Sequence, residues 1–294
     1  MSRFSRIAAS LACGVALAWV APVASAQEGL SPGTGPLPPE TRSDITAFRP
    51  YWGAAPPRWF AGVVFETAGI SSKIELDLGY GRPHYLWAGL EVDSHLSLRG
   101  MNTFGGIRAV APWGSIKFGP RFWTALNQKL IEPAESITRP MLDVDEGLKT
   151  RYLSLDAEIA FQIPLPYGSI GALVTGYGLF SVDDNFFVFE EALRVVIDPP
   201  FVGRFRLSYL APIGDPPTLR IGGLAELIYN PGRDYINVRI GPATAVSLTH
   251  HLEAVAAVAL SVYNPDQIGV AGADLGQIGL RYRWATGDLW PEFP

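Results

Sequence analysis

The segment Gln277–Trp284 alternates strictly between apolar residues and polar or small ones. One face carries Ile278, Leu280, Tyr282 and Trp284, and the other carries Gln277, Gly279, Arg281 and Arg283. A side-chain period of two predicts a β-strand. Two arginines behind an aliphatic and aromatic stripe are typical of a strand with lipid on one side and a wet lumen on the other.

Similar alternation recurs along the chain from Arg58 onward, and turn residues such as Pro, Gly, Asn and Asp separate the segments. The candidate strands are 58–67, 72–82, 84–96, 102–111, 114–125, 149–163, 167–181, 185–198, 201–212, 217–230, 234–248, 250–263 and 274–285. Because single-chain bacterial barrels have an even number of strands, we predict twelve, with ten and fourteen as the neighbouring possibilities. The list has thirteen segments, so one of the assignments is wrong. Either one segment within 58–125 is not a separate strand, or a strand near 45–53 is overlooked.

Composition narrows the fold class. Only 17% of the residues are charged and 48% are hydrophobic, and the mean hydropathy is +0.17. Beyond the N-terminal region no apolar run approaches the roughly 20 residues that a spanning helix needs. Helices and closed barrels alone satisfy every backbone polar group in lipid. The prediction is therefore an all-β, closed antiparallel transmembrane β-barrel of about twelve strands.

A soluble barrel such as a lipocalin is the alternative to a membrane barrel, because alternation alone does not say which face points inward. Two observations favour the membrane. A soluble exterior carries more charge than this composition supplies. The apolar stripes also end in aromatic residues, as an interfacial girdle does: Tyr80, Phe161, Tyr209, Tyr229, Tyr282 and Trp284.

The N-terminal region predicts export. Residues 1–26 combine a short basic start, an apolar run and an Ala-x-Ala site, which together are typical of a cleaved signal peptide. A membrane anchor and a lipoprotein signal at Cys13 are weaker alternatives. Cys13 is the single cysteine, so the mature chain would have no thiol chemistry. Residues 27–57 are rich in Pro and Gly and predict an extended periplasmic leader, with a plug element near 45–51 as the alternative.

Two long gaps between candidate strands predict external loops. They are Asn127–Lys149 and Asn264–Ala273, and outer-membrane barrels keep their periplasmic turns short. With thirteen strands the two loops would emerge at opposite ends of the barrel. This conflict is a second indication that one candidate strand is wrong.

The charged faces predict the lining of the lumen. The candidate lumen residues are Glu75, Asp77, Glu91, Asp93, Asp156, Glu158, Arg194, Arg204, Arg206, Arg220, Glu226, Arg239, Arg281 and Arg283. Acidic residues dominate the early strands and arginines the later ones, which predicts an acidic wall facing a basic wall. The leading functional hypothesis is a narrow porin-like channel for small polar or ionic solutes. A structural barrel with a lumen filled by side chains is the alternative.

Catalysis is a third hypothesis. The histidines are His84, His95, His250 and His251, and Ser247, Thr249 and Glu253 lie near the last two. A lipid hydrolase could use a nucleophile, base and orienting group at this turn. Turn histidines are more often solvated, so we expect no enzyme, and the sequence assigns no catalytic, cofactor or metal residues. Glu190 and Glu191 would point to opposite faces of a strand, which argues against an acid–base pair.

The end of the chain resembles the C-terminal insertion signal of bacterial outer-membrane β-barrels. Gln277, Gly279, Tyr282 and Trp284 occupy the polar, glycine and aromatic positions of that signal. The resemblance covers 58–285 and implies an outer-membrane location, contact with outer-membrane lipid, and insertion by the barrel assembly machinery. The chain departs from the pattern in its tail, 286–294. The net charge of −5 and the absence of a basic run give no reason to expect nucleic acid as a partner.

Overall fold

A computed structural model describes residues 49–68, 71–142, 147–183, 185–191, 193–214, 218–266, 268 and 275–287. The predicted signal peptide, most of the leader and most of the C-terminal tail lie outside these residues. Among the described residues, no helix is long and apolar enough to cross a membrane.

Twelve antiparallel strands form one closed barrel, which confirms the predicted fold and strand number. They are β1 (Arg58–Ala68), β2 (Ser71–Arg82), β3 (Leu86–Leu96), β4 (Gly100–Ala111), β5 (Gly114–Lys129), β6 (Lys149–Leu165), β7 (Gly168–Phe180), β10 (Phe201–Ile213), β11 (Leu219–Asn230), β12 (Tyr235–Ser247), β13 (Leu252–Tyr263) and β14 (Leu275–Ala285). The strand β14 closes the barrel on β1, with Arg281 opposite Glu66 and Tyr282 opposite Phe65. Closure removes both sheet edges, so every strand has a partner on each side.

The misassigned candidate is 185–198, and the prediction that placed the error in 58–125 or near 45–53 is wrong. This segment forms a separate two-stranded hairpin of β8 (Val188–Glu190) and β9 (Val195–Ile197). All six of these strand residues are buried. Burial on both faces explains why the segment lacks the clean alternation of a membrane strand.

The two ends of the barrel differ in the length of their connections. At the end where β1 begins and β14 ends, called here the terminal end, the connections are short: 83–85, 112–113, 166–167, 214–218 and 248–251. The opposite end, the loop end, carries the long connections 130–148, 181–200 and 264–274. With 185–198 removed from the barrel, both loops predicted to be external emerge at the same end, which resolves the conflict in strand parity.

The barrel exterior is apolar and its interior is polar. On β2, Leu76 and Leu78 expose 51% and 57% of their surface, whereas Glu75 and Asp77 between them are buried. Aromatic side chains ring the terminal end: Trp59, Tyr80, Trp113 and Tyr167 are all exposed there. This polarity is the reverse of a soluble barrel and matches a lipid-facing belt with an interfacial girdle.

A short helix, α1 (Arg49–Ala54), precedes the barrel within the segment predicted to be extended. Its Trp52 is buried and packs with Phe60, Trp87 and Ala285. The indole also meets the His84 ring edge-on at 4.6 Å between centroids. Because His84 lies in the terminal-end connection 83–85, α1 sits at the terminal mouth of the barrel.

Candidate functional site

The lumen contains a charged cavity of about 650 Å³. The inward positions of eight strands supply charged side chains to it, and Trp52 and His84 line it from the terminal end. The charged lining residues are Glu66, Lys73, Glu75, Asp77, Arg108, Glu158, Arg204, Arg206, Arg220, Glu253, Arg281 and Arg283. Strict alternation on each strand places these groups inside while aliphatic neighbours face outward.

Every candidate lumen residue except Arg194 lies on a barrel strand with its side chain on the inner face. Arg194 lies instead in the turn of the β8–β9 hairpin, with a positive φ of 51°. Its carbonyl oxygen accepts a hydrogen bond from Arg239 Nη2 at 2.9 Å. Arg194 therefore belongs to the inserted loop rather than to the barrel wall.

Several inner charges lie outside the predicted set of lumen residues. Arg108, Lys117 and Arg121 face the lumen among the acidic residues of the early strands, and so does Lys73, which alternation already places on the polar face of 73–80. On β5 the alternation does indicate the inner face, because Lys117, Arg121 and Trp123 alternate with outward phenylalanines. On β4 the alternation is hard to recognise, because Gly105 and Gly106 interrupt the pattern of apolar side chains.

These basic residues make the predicted pair of opposed acidic and basic walls wrong. Arg108 Nη1 lies 2.5 Å from Glu75 Oε1 and 2.7 Å from Glu91 Oε2. Lys117 forms ion pairs with both Glu91 and Asp93. Charges of opposite sign therefore interleave among β2, β3, β4 and β5, and short-range pairing replaces the two opposed walls.

The later strands repeat this arrangement. Glu226 is almost fully buried and lies between Arg206, at 2.5 Å, and Arg239, at 3.2 Å. The strand register puts Glu226 directly opposite each of these arginines. On the closing strands, Glu253 pairs with Arg220 and with Arg281, the latter at 3.3 Å. Glu226 thus has basic partners on both adjoining strands, and Glu253 has them on β11 and β14, which offsets the desolvation of these two carboxylates.

The loop end of the lumen is filled by apolar side chains. In the β8–β9 hairpin, Val188, Leu193, Val195 and Ile197 are buried against the inner wall. The wall contributes Trp123, Tyr152, Tyr177, Leu179, Val202 and Ile228. A second cluster joins the three long connections through Ile131, Ile137, Leu142, Phe189, Val196 and Ile268. The β8–β9 hairpin and the three long connections that the second cluster joins together form the loop-end cap, which packs against the wall residues of the first cluster.

Polar side chains of the barrel wall form hydrogen bonds to the backbone carbonyl groups of the hairpin. Asn230 Nδ2 donates to the Val196 carbonyl oxygen at 3.0 Å, and the Tyr235 hydroxyl lies 2.8 Å from the same oxygen and shares its single proton between it and the Asp266 carboxylate. Arg239 Nη1 donates to the Leu193 carbonyl oxygen at 2.7 Å. Since a buried carbonyl group without a donor is costly, these contacts allow the hairpin to sit inside the barrel.

A polar junction ties the cap to the barrel rim. Arg233 binds the Asp266 carboxylate through two hydrogen bonds of 2.6 and 2.7 Å. The Asp266 carboxylate also accepts from the backbone N–H of Ile137 at 2.9 Å and from the Tyr235 hydroxyl at 3.0 Å. This Arg233–Asp266 junction therefore connects 130–148, 231–234 and 264–274.

At the terminal mouth, the turn residue His84 is held as a neutral base. Its Nε2 donates to the Trp284 carbonyl oxygen at 3.1 Å. Burial lowers the pKa of His84 from 6.5 to about 4. Desolvation disfavours the charged imidazolium form and is the largest cause of this lowered pKa.

The depressed pKa of His84 predicts a pH dependence of stability. Between pH 6.5 and about 4 the unfolded chain binds a proton that the folded barrel does not, so the free energy of unfolding falls as pH falls through this window. Urea unfolding at pH 7 and pH 5 should show a smaller decrease for His84→Gln than for the wild type. His250→Gln, at an exposed turn histidine, should retain the full decrease, and an equal decrease in all three proteins would contradict the assignment.

The turn that holds His250 and His251 is organised by structural contacts. Thr249 Oγ1 accepts hydrogen bonds from the backbone N–H groups of His251 and Leu252, at 3.1 and 2.9 Å. His251 Nδ1 lies 2.8 Å from the Arg283 carbonyl oxygen, and its ring contacts Trp52. These contacts give Thr249 and His251 roles in shaping the turn. The absence of enzymatic activity stays a prediction.

No protein-family model matches the chain, and no curated protein matches it. Among solved structures, the KdgM porin in complex with disordered oligogalacturonate is 9% identical, covers 76% of this chain and 98% of its own, and has a TM-score of 0.37. Omp33 of Acinetobacter baumannii is 9% identical over 78% of this chain and 99% of its own, at a TM-score of 0.37. The translocator domain of autotransporter NalP from Neisseria meningitidis is 13% identical, covers 82% of this chain and 93% of its own, and has a TM-score of 0.39.

Likenesses this weak carry no argument about function, and the class of the protein rests on its own geometry. The barrel combines three features: closure of twelve strands, an apolar exterior with an aromatic girdle, and a charged lumen. These features are the architecture of a bacterial outer-membrane β-barrel.

Proposed function

We propose that the barrel is a narrow channel for small polar or ionic solutes, closed at its loop end in this conformation by the loop-end cap. The observation that carries the proposal is the cavity of about 650 Å³ behind the cap, lined by charged side chains from strands all around the barrel. A lumen filled only by its own side chains would leave no such space. Ionised groups facing a cavity of this size favour water inside it.

The construction of the cap supports its role as a gate. The strands β8 and β9 form a sheet separate from the barrel. Withdrawal of the hairpin therefore breaks side-chain contacts and a few hydrogen bonds, and it leaves the twelve-stranded ladder intact. A loop with two stable positions is a common form of molecular gate.

The charges of the cavity lining predict a weak preference for anions. The acidic lining residues are Glu66, Glu75, Asp77, Glu158 and Glu253. The basic lining residues are Lys73, Arg108, Arg204, Arg206, Arg220, Arg281 and Arg283. Basic side chains exceed acidic ones, but local ion pairing reduces the field that a passing ion meets.

Replacement of 185–198 by a short Gly-Ser linker tests the proposal. We expect rare, brief openings of the wild-type barrel in planar bilayers, and a steady conductance from the linker variant because the apolar hairpin no longer fills the lumen. A salt gradient should then give a reversal potential that favours anions. A matched control replaces the two-residue connection 166–167 at the terminal end with Gly-Ser and should leave the conductance at the wild-type level.

A structural barrel with a filled lumen is the second candidate, and the two apolar clusters at the loop end favour it. The same recordings separate the candidates. If the linker variant folds and inserts but conducts no more than the wild type, the lumen is blocked by its wall and the channel proposal fails. Heat-modifiable migration of the variant on a gel would establish that it folds.

A further inference from the structure

Asp77 is a buried carboxylate that receives no hydrogen bond from the part of the chain that the structure describes. It is 3% exposed, and neither Oδ1 nor Oδ2 has a hydrogen-bond partner there. A buried ionised group normally acquires a counter-charge or donors, because desolvation without them costs several kcal/mol. The neighbouring carboxylates Glu75, Glu91 and Asp93 all have such partners.

The strand register explains why Asp77 lacks a partner. On one side it lies opposite Gly62 of β1, which has no side chain to donate. On the other side it lies opposite Glu91 of β3, which is an acceptor when ionised. Like charges directly opposite each other on neighbouring strands are destabilising. The two directly opposite positions therefore offer Asp77 no donor, and Arg108 and Lys73 act on it only through space, without a hydrogen bond or an ion pair.

Three carboxylates converge at this point. One oxygen from each of Glu75, Asp77 and Glu91 lies within 4.8 Å of the other two. Glu75 and Asp77 lie on the same inner face of β2, and both line the cavity. Because β2 ends at the terminal end of the barrel, Asp77 lies farther along this strand from the loop-end cap than Glu75 does.

The local charges do not balance. Glu75, Asp77, Glu91 and Asp93 give four carboxylates, whereas Lys73, Arg108 and Lys117 give three cations. Arg108 and Lys117 are engaged with Glu75, Glu91 and Asp93. Asp77 is the one carboxylate of these four that forms no ion pair with the residues that the structure describes.

We propose that Glu75, Asp77 and Glu91 form a binding site for a divalent cation of the hard, oxygen-preferring class, with Ca²⁺ as the best fit. Both free oxygens of Asp77 provide the main ligand. Glu75 and Glu91 each add one oxygen, since an ionised carboxylate has about four lone-pair positions and their basic partners occupy only some of them. Water in the cavity completes the shell. Ca²⁺ tolerates this irregular geometry better than Mg²⁺, which demands a near-ideal octahedron.

Calorimetry with CaCl₂ on the full-length barrel, refolded and stripped with EDTA, tests the site. The wild type should bind Ca²⁺ with measurable heat, and its unfolding temperature should rise with Ca²⁺ concentration. Asp77→Asn should lose both responses. In EDTA the same variant should unfold at a higher temperature than the wild type, because it removes an unpaired buried charge.

Glu158→Gln is the matched control, since it removes a carboxylate that lines the same cavity from β6. It should keep both responses to Ca²⁺. The proposal is overturned if the EDTA-stripped wild type shows neither heat nor a thermal shift with CaCl₂ at pH 8, a result that would assign a proton to Asp77 instead. It is also overturned if Asp77→Asn binds Ca²⁺ as the wild type does. The outcome is independent of conductance, so it stands apart from the channel proposal.

Discussion

Asp266→Ala is expected to raise the open probability of the barrel by about two orders of magnitude. The Asp266 side chain is fully buried and accepts hydrogen bonds from Arg233, Tyr235 and the backbone N–H of Ile137. Removing one member of a buried ion pair costs about 3–5 kcal/mol, because the remaining charge loses its partner. About 1.4 kcal/mol corresponds to a tenfold change in an equilibrium constant, so a loss of about 3 kcal/mol from the closed state gives this factor.

The cost of Asp266→Ala falls on the closed conformation. The Arg233–Asp266 junction joins loops that pack together in the loop-end cap, so under the proposed gating it exists in the closed state and is broken in the open one. When the cap withdraws, Arg233 returns to water and its charge is solvated. The substitution therefore changes the balance between two states and leaves the barrel ladder unaffected.

Single-channel recordings at fixed voltage and salt give the open probability directly. Glu132→Ala is the matched control, because it removes an exposed carboxylate from the connection 130–148 at the same end of the barrel. It should gate as the wild type does. If Asp266→Ala and Glu132→Ala are indistinguishable, the junction does not hold the cap closed and the gating mechanism is wrong.

The fold was predictable because lipid imposes a simple rule on each strand. Segments such as 72–82 and 149–163 must alternate, since one face meets hydrocarbon and the other meets a wet lumen. The failure at 185–198 follows from the same rule. The hairpin never meets lipid, and its β-branched residues fit a strand pattern equally well in the lumen or in the barrel wall.

The candidate site was predictable in its parts but not in its arrangement. Alternation identifies Glu91 and Arg239 as inner residues. It cannot say which strands adjoin around the barrel or where the register places each charge. The pairing of Glu91 with Arg108 and Lys117 depends on that register, and so does the isolation of Asp77 between Gly62 and Glu91. The loop-end cap depends on contacts between distant segments, which no local pattern encodes.

Arg239→Ala is expected to lower the free energy of unfolding of the barrel by about 3–5 kcal/mol. Arg239 is 1% exposed and donates to Glu226 at 3.2 Å. It also donates to the carbonyl oxygens of Leu193 and Arg194, at 2.7 and 2.9 Å. Alanine leaves both carbonyl groups without these donors and creates a cavity beside the hairpin, so electrostatic and packing losses add.

Urea unfolding of the refolded barrel, followed by tryptophan fluorescence, measures this loss. Arg239→Lys separates its causes, because lysine keeps a positive charge for Glu226 but cannot span both carbonyl groups with a rigid fork. We expect an intermediate loss for lysine, and almost none for Arg151→Ala, which removes an exposed arginine from β6. If Arg239→Ala costs no more than Arg151→Ala, the buried network contributes nothing to stability. In that case the hairpin is held in the lumen by its apolar contacts and by the contacts of Asn230 and Tyr235 with the Val196 carbonyl oxygen.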